Sequence, residues 1–215
     1  MLLFPQLTQL DLTGPHEVLA RLPGATIQLV AASRDPVTSE TGLSILPTAT
    51  FAEVPAVDLL FVPGGWGQIA AGDDAATAAW LRQVGATARW VTSACTGALL
   101  LGIAGLLDGY RATTHWAFHD LLPLVGAIPV AERVVVDRNR ITGGGVTAGI
   151  DAALRIAATV AGEVTAAQIA LQLEYDPAPQ RAGHPRTADP ALVAAARERV
   201  AARHAARERQ LRRSG

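Results

Sequence analysis

The chain has 215 residues, half of them apolar and 17% charged, with a formal net charge of -1. That length and composition build a substantial buried core and exclude a disordered chain. A sequence pI near 6.5 gives no electrostatic case for nucleic acid or an anionic membrane. A single cysteine excludes an internal disulfide framework and a cysteine-rich zinc cluster, and it fits a reducing, cytoplasmic setting. No apolar run reaches the length of a membrane span. The opening Met1-Leu-Leu-Phe-Pro5 lacks the basic region and long apolar stretch of a secretory signal.

In chain order, Leu2–Phe4 predicts a strand stub, shorter than this architecture normally has, as a shifted start site would leave. A helix follows, with Thr13 or Gly14 as cap, Pro15 at its first position and Glu17 in its first turn. Thr26–Ala32 reads as a strand, and Val37–Thr38 with Leu43–Leu46 as a hairpin around Glu40-Thr-Gly42. Val57–Val62 is a nearly all-apolar strand ending in Pro63-Gly-Gly-Trp-Gly67, after which Asp74 caps a helix to about Ala86. Trp90–Thr92 predicts another buried strand, followed by Cys95 and an apolar helix to about Leu107. Ala112–Thr114 is extended, and His115–Leu122 reads as a short helix. Val134–Val136 and Arg140–Thr142 flank the hairpin signal Asp137-Arg-Asn139. Helices near Ala148–Ala161 and Val164–Tyr175 precede an irregular, proline-rich stretch over 176–186.

The last element, from Pro190 to about Leu211, is an Arg-rich helix carrying Arg197, Arg199, Arg203, Arg207, Arg209, Arg212 and Arg213. These charges wrap several faces without interleaved aromatics, which points to a solvated or dimer-adjacent helix and away from nucleic acid. There is no repeat and no linker, so residues 1–215 read as one domain. Strands alternating with helices, and apolar on both faces, predict a three-layer α/β/α sandwich with a mainly parallel sheet.

Cys95 falls at a strand-to-helix turn among Ser93, Ala94, Thr96 and Gly97. This is the pattern of a nucleophile elbow, in which tight backbone geometry exposes one side chain at the end of a sheet. A helix N-terminus beneath the sulfur favours the thiolate. The plainer alternative is a small buried hydrophobe, but the small neighbours leave the sulfur approachable. Ligands bind such sheets beyond the carboxyl ends of the strands, and three loops converge there, bearing Asp11, Gly64-Gly65 and Cys95-Thr96. Gly64 and Gly65 permit backbone N–H groups to face a reacting atom, as in an oxyanion hole. A carboxyl against a thiol shares charge with it, so one of the pair holds a proton. His115 is either a base for Cys95 or a structural cap of its own helix, and the cap is favoured. His119 follows it by one turn, but without a third ligand the pair argues against a metal site. Gly143–Gly145 allows close packing near the site, with Val146 beside it.

The segments Asp-Leu-Thr-Gly-Pro, Val-Pro-Gly-Gly, Ser-Ala-Cys-Thr-Gly, Gly-Leu-Leu-Asp-Gly, Ala-Thr-Thr-His-Trp and Ile-Thr-Gly-Gly-Gly occur in this order. In them the chain resembles the PfpI/ThiJ superfamily, from Leu2 to about Pro179, and more narrowly the bacterial isocyanide hydratases. The ligand-sensing domains of some AraC-type regulators share several of the segments. The resemblance implies a flavodoxin-like, class I glutamine amidotransferase-like fold. It also implies Cys95 as nucleophile, Asp11 as general acid/base, Thr96 as the residue positioning the carboxylate, and Gly65 on the anion-binding loop. Thr96 stands where protease-like members carry His, which removes a Cys-His dyad at that place. The implied reaction adds water to an isocyanide through a Cys95 thioimidate, in a homodimer, with no metal or organic cofactor. The alternatives are a small-molecule-binding domain and glyoxalase or deglycase chemistry. A regulator calls for a helix-turn-helix pair after residue 180, where the tail has room for one helix.

Overall fold

The computed structural model describes residues 1–178 and 183–214, so the centre of the irregular stretch at 176–186, where the resemblance ends, lies outside the described residues. Helix α1 is Gln9–Leu19, and strands β1 (Val30–Ala31), β2 (Val37–Thr38), β3 (Ser44–Ile45) and β4 (Ala49–Thr50) follow. Next come β5 (Leu59–Val62), α2 (Gln68–Asp73), α3 (Ala75–Thr87), β6 (Trp90–Ser93) and α4 (Gly97–Ile103). Strand β7 (Arg111–Ala112), a 3-10 segment (Trp116–Val125), β8 (Ile128–Pro129) and the pair β9 (Val134–Asp137) and β10 (Arg140–Gly143) lead to α5 (Ala148–Ala161), α6 (Glu163–Gln172) and α7 (Pro190–Ser214).

The apolar runs β5, β6 and β10 pair in parallel, in register Phe61–Thr92–Ile141, and β9 closes the edge antiparallel to β10. On the other side of β5, the Leu2 N–H donates to Phe61 O at 3.0 Å and the Leu3 N–H to Val30 O at 2.8 Å. The N-terminal segment thereby joins β5 to the parallel pair β1–β4. Leu2, Phe61, Val62, Val91 and Ile141 are fully buried, as strands covered on both faces require. Helices α1, α5 and α6 pack together on one side, and α2, α3 and α4 on the other, giving the three-layer α/β/α sandwich. Helix α5 turns small residues inward (Ala148, Gly149, Ala152, Ala153), so α1 approaches closely. That approach fixes α1, and with it Asp11, over the end of the sheet.

Several boundaries differ from the sequence reading. Helix α1 begins at Gln9, before Thr13 and Gly14, and holds Pro15 in its interior. Tertiary packing overrides the loss of the bond a residue-15 N–H would make to the Asp11 carbonyl. The strand over Thr26–Ala32 shortens to Val30–Ala31, because the Leu29 N–H and carbonyl both bond to Thr48. Helix α4 stops at Ile103, where Gly105 at φ 74 closes a Schellman motif through Gly105 N–Gly102 O and Leu106 N–Leu101 O. Helix α2 had no counterpart in the reading. The Asp74 cap is present, accepting from the Thr77 N–H at 2.8 Å, as are both hairpins.

Candidate active site

Cys95 links β6 to α4 with φ 53, a conformation that costs a non-glycine residue on the order of 1 kcal/mol or more. Its backbone is fastened on both sides. The Cys95 N–H donates to Gly144 O at 2.7 Å and Gly143 O at 3.2 Å. The Cys95 carbonyl accepts from Thr114 Oγ1 at 2.7 Å. The elbow is therefore held by the loop after β10 and the segment after β7, and the side chain stays 6% exposed.

Asp11 projects from the first turn of α1 and is fully buried. Its Oδ2 accepts from the Gly64 N–H at 3.0 Å. A Cβ on Gly64 would lie 2.5 Å from Thr96 N and 2.9 Å from Asp11 Oδ2, so only glycine lets the loop reach both. Gly65, at φ 136, donates its N–H to Thr96 Oγ1 at 3.1 Å, and a Cβ there would run into the Leu7–Thr8 backbone. The expectation that these two N–H groups face a reacting atom is thus corrected. Both are spent inside the protein, one orienting the carboxyl and the other orienting Thr96.

Burial pushes the Asp11 carboxyl up to about 7; the Cys95 thiol and the Gly64 N–H pull it down, and the Glu40 charge adds to the rise. The thiol lies near enough to perturb Asp11, although Oδ1 has no well-formed hydrogen bond among the described residues. Burial and the Asp11 charge push the Cys95 thiol well up, and they outweigh the Thr96 N–H and the Arg207 guanidinium, which favour the thiolate. Burial first, and the Asp11 charge second, oppose the thiolate that the helix terminus favours. The pair holds two protons at low pH and loses the first near 7. The resulting one-proton state is shared between thiolate with carboxylic acid and thiol with carboxylate.

His115 caps the 3-10 segment, its Nδ1 accepting from the Ala117 N–H at 3.3 Å. Burial and the nearby Arg207 lower it to about 4, so it is neutral at physiological pH. A cavity of about 1220 Å³ opens beside the elbow, lined by His115, Trp116, Val146 and Ile150 among others. It meets the elbow at Thr114 and Gly144, the residues bonded to the Cys95 backbone. His115 and Val146 are therefore cavity residues, while Asp11, Cys95, Thr96, Gly64 and Gly65 form the buried centre behind it.

Two contributors were not singled out from sequence. Glu40, at the tip of the β2–β3 hairpin, accepts from Thr8 Oγ1 at 2.8 Å and from the Trp66 N–H at 3.3 Å. Arg207, from the helix read as solvated, is 1% exposed. It donates through Nε to Gln68 Oε1 and through Nη2 to Gly65 O, both at 2.8 Å. Only its place in the stripe Val200, His204, Arg207 and Leu211, at helical spacing, hints at this in the sequence.

Residues 1–159 match the DJ-1/PfpI family. A Pseudomonas putida protein named isonitrile hydratase is 56% identical over 201 residues, covering 93% of this chain and 88% of that protein. The crystal structure of a ThiJ/PfpI family protein from Pseudomonas syringae superposes with a TM-score of 0.96 at 47% identity, covering 98% of this chain and 88% of that one. An HTH-type transcriptional regulator from Pseudomonas aeruginosa is 32% identical over 162 residues, covering 74% of this chain but 47% of the regulator. With the elbow, its buried carboxyl and the sheet order already in place, these matches make the chain a member of the DJ-1/PfpI family.

Proposed function

We propose that this protein hydrates an isocyanide to the N-substituted formamide. The observation that carries the proposal is the buried pairing of Cys95 with Asp11, whose carboxyl burial pushes up, in a chain 56% identical to an isonitrile hydratase. The terminal isocyanide carbon is both the electrophile and the proton acceptor. Cys95 sulfur bonds to it while the proton of Asp11 goes to the same carbon, leaving a thioimidate, R–N=CH–S–Cys95. Ionised Asp11 then takes a proton from water as the hydroxyl adds to that carbon and passes it to the nitrogen, giving the tetrahedral adduct R–NH–CH(OH)–S–Cys95. Collapse breaks the C–S bond, returns the hydroxyl proton to Asp11, releases R–NH–CHO and restores the thiolate beside the carboxylic acid. One nucleophile and one carboxyl cycling between acid and base suffice. Gly64 aims the carboxyl, Thr96 holds the loop, and the cavity lined by Trp116, Val146 and Ile150 receives the apolar substituent.

The test incubates the protein with alkyl and aryl isocyanides and follows formamide by chromatography. Formamide from wild type and none from Cys95→Ala is the expected result; no formamide from wild type across the panel overturns the reading. The likeness to a transcriptional regulator favours a second reading, a ligand-binding domain. Saturable isocyanide binding without turnover would establish it.

The proposal extends to a single-domain homodimer in the cytoplasm. One core cluster that includes both Met1 and Leu211 supports a single domain. Val164 and Leu171 stand 73% and 82% exposed on α6, apolar surface that a second copy would bury. The single thiol fits a reducing compartment. Sedimentation at several concentrations tests the dimer.

A further inference from the structure

We propose that Arg207 is a positioning residue of the Cys95 centre: its guanidinium fastens the Gly65 carbonyl and supplies the buried positive charge against which Cys95 works as an anion. Three observations carry this. First, Arg207 is buried to 1% exposure on a helix whose other arginines reach solvent or aromatic faces, and burying a cation is costly unless something requires it. Second, its partners are neutral. Nε meets the Gln68 amide, Nη2 meets the Gly65 carbonyl, the guanidinium carbon lies 4.3 Å over the Phe118 ring, and Nη1 has no hydrogen-bond partner among the described residues. Among the described residues no carboxylate is bonded to it, so the charge remains available to a neighbour. Third, it reaches the nucleophile through a short chain of bonds. Gly65 O accepts from Arg207, Gly65 N donates to Thr96 Oγ1, and Thr96 adjoins Cys95 and directs its own N–H at the sulfur.

The charges around the pair can be named. Asp11 on α1 faces Cys95 and opposes its ionisation, while Arg207 on α7 favours it. Arg207 in turn feels Arg203 on its own helix and Glu40 from the hairpin, and it acts on His115 at the 3-10 cap. His115 is neutral at physiological pH and Arg207, at about 10, is cationic, so Arg207 is the positive group in this set closest to acting on the sulfur. The charge has its largest effect when the thiolate exists: as Cys95 attacks, and again when the hydrated adduct collapses and expels the sulfur.

The inference concerns the thiol whatever compound it attacks, so its test reads the thiol directly. The rate of alkylation by iodoacetamide, followed by intact mass against pH, gives the midpoint of Cys95 ionisation. Arg207→Met removes the charge and keeps the bulk. Its midpoint should rise by about one unit, which makes alkylation about tenfold slower at any pH below both midpoints. Arg207→Lys keeps the charge but cannot span Gln68 and Gly65 together, so its midpoint should stay near that of wild type. An unmoved midpoint in folded Arg207→Met overturns the proposal. If Arg207→Met does not fold, Arg207→Lys decides: a midpoint raised by a full unit while the charge is retained overturns it. A failed isocyanide assay with these alkylation shifts intact would sink the hydratase reading and leave Arg207 in place.

Discussion

The elbow around Cys95 and the tail helix α7 meet at one centre but are built differently. The elbow is built from backbone groups: the Cys95 N–H on two glycine carbonyls, the Gly64 N–H on the Asp11 carboxyl, Gly65 against the Leu7–Thr8 backbone. Helix α7 is side chain against side chain, with Arg203 over Trp66, Arg197 over Trp116, Arg207 over Phe118 and His204 on Asp120. A backbone-built region has no slack for an added atom, whereas a region built from long side chains can re-seat everywhere except where a charge is sealed in. The elbow sets geometry, and the helix contributes the charge.

That contrast can be broken experimentally, with the largest effects expected at the elbow. Cys95→Ala and Cys95→Ser should bring formamide production to background while melting near the wild-type temperature. Asp11→Asn should cut kcat about 100- to 10,000-fold by removing proton transfer. In wild type, kcat/KM should rise with pH through the loss of the first proton near 7, and this limb should vanish in Asp11→Asn. The same group predicts a stability slope. Asp11 titrates near 7 folded and about 4 unfolded, so between those values the folded state binds more protons. Stability therefore falls as pH rises across that window and levels off above it. Urea unfolding at several pH values should show this slope diminished in Asp11→Asn.

Gly64→Ala drives a methyl into Thr96 N and should cost about 1–3 kcal/mol together with most of the activity. Thr96→Val strands the buried Gly65 N–H and should cost about 1–3 kcal/mol. The smallest effect belongs to the outer face of α7. Arg212→Ala, which loses an exposed pair with Glu208 four residues away, should change stability by about 0.3–0.5 kcal/mol or less and leave turnover alone. A large loss of activity there would contradict the view that α7 acts through one arginine.

The elbow could be read from sequence because its signal is local: small residues around a lone cysteine, and a Pro-Gly-Gly whose glycines are needed for close approach. The Asp74 cap and the β9–β10 hairpin were legible for the same reason. What stayed hidden depends on distant parts of the chain. Beyond its place in the stripe with Val200, His204 and Leu211, nothing local separates Arg207 from Arg203 or Arg209; the choice is made by Phe118, Gln68 and Gly65. The direction of the Gly64 and Gly65 N–H groups was misread because their acceptors, Asp11 and Thr96, sit on other elements. The burial that opposes Cys95 ionisation was hidden for the same reason, since a turn sequence carries the helix terminus but not what covers it.

The attachment of Arg207 to Gly65 has a consequence for biosynthesis. Asp11 lies on α1 and Arg207 on α7, so the two charges flanking Cys95 are supplied by segments far apart in the sequence. A ribosome can release the sheet, the elbow and the acid long before it releases the arginine. The nascent domain would then carry a thiol with a carboxyl beside it and no cation behind it, the combination least inclined to ionise. Reactivity would arrive late, with the docking of α7, and a cysteine that is slow to react until that helix is seated is shielded from stray electrophiles while the domain folds.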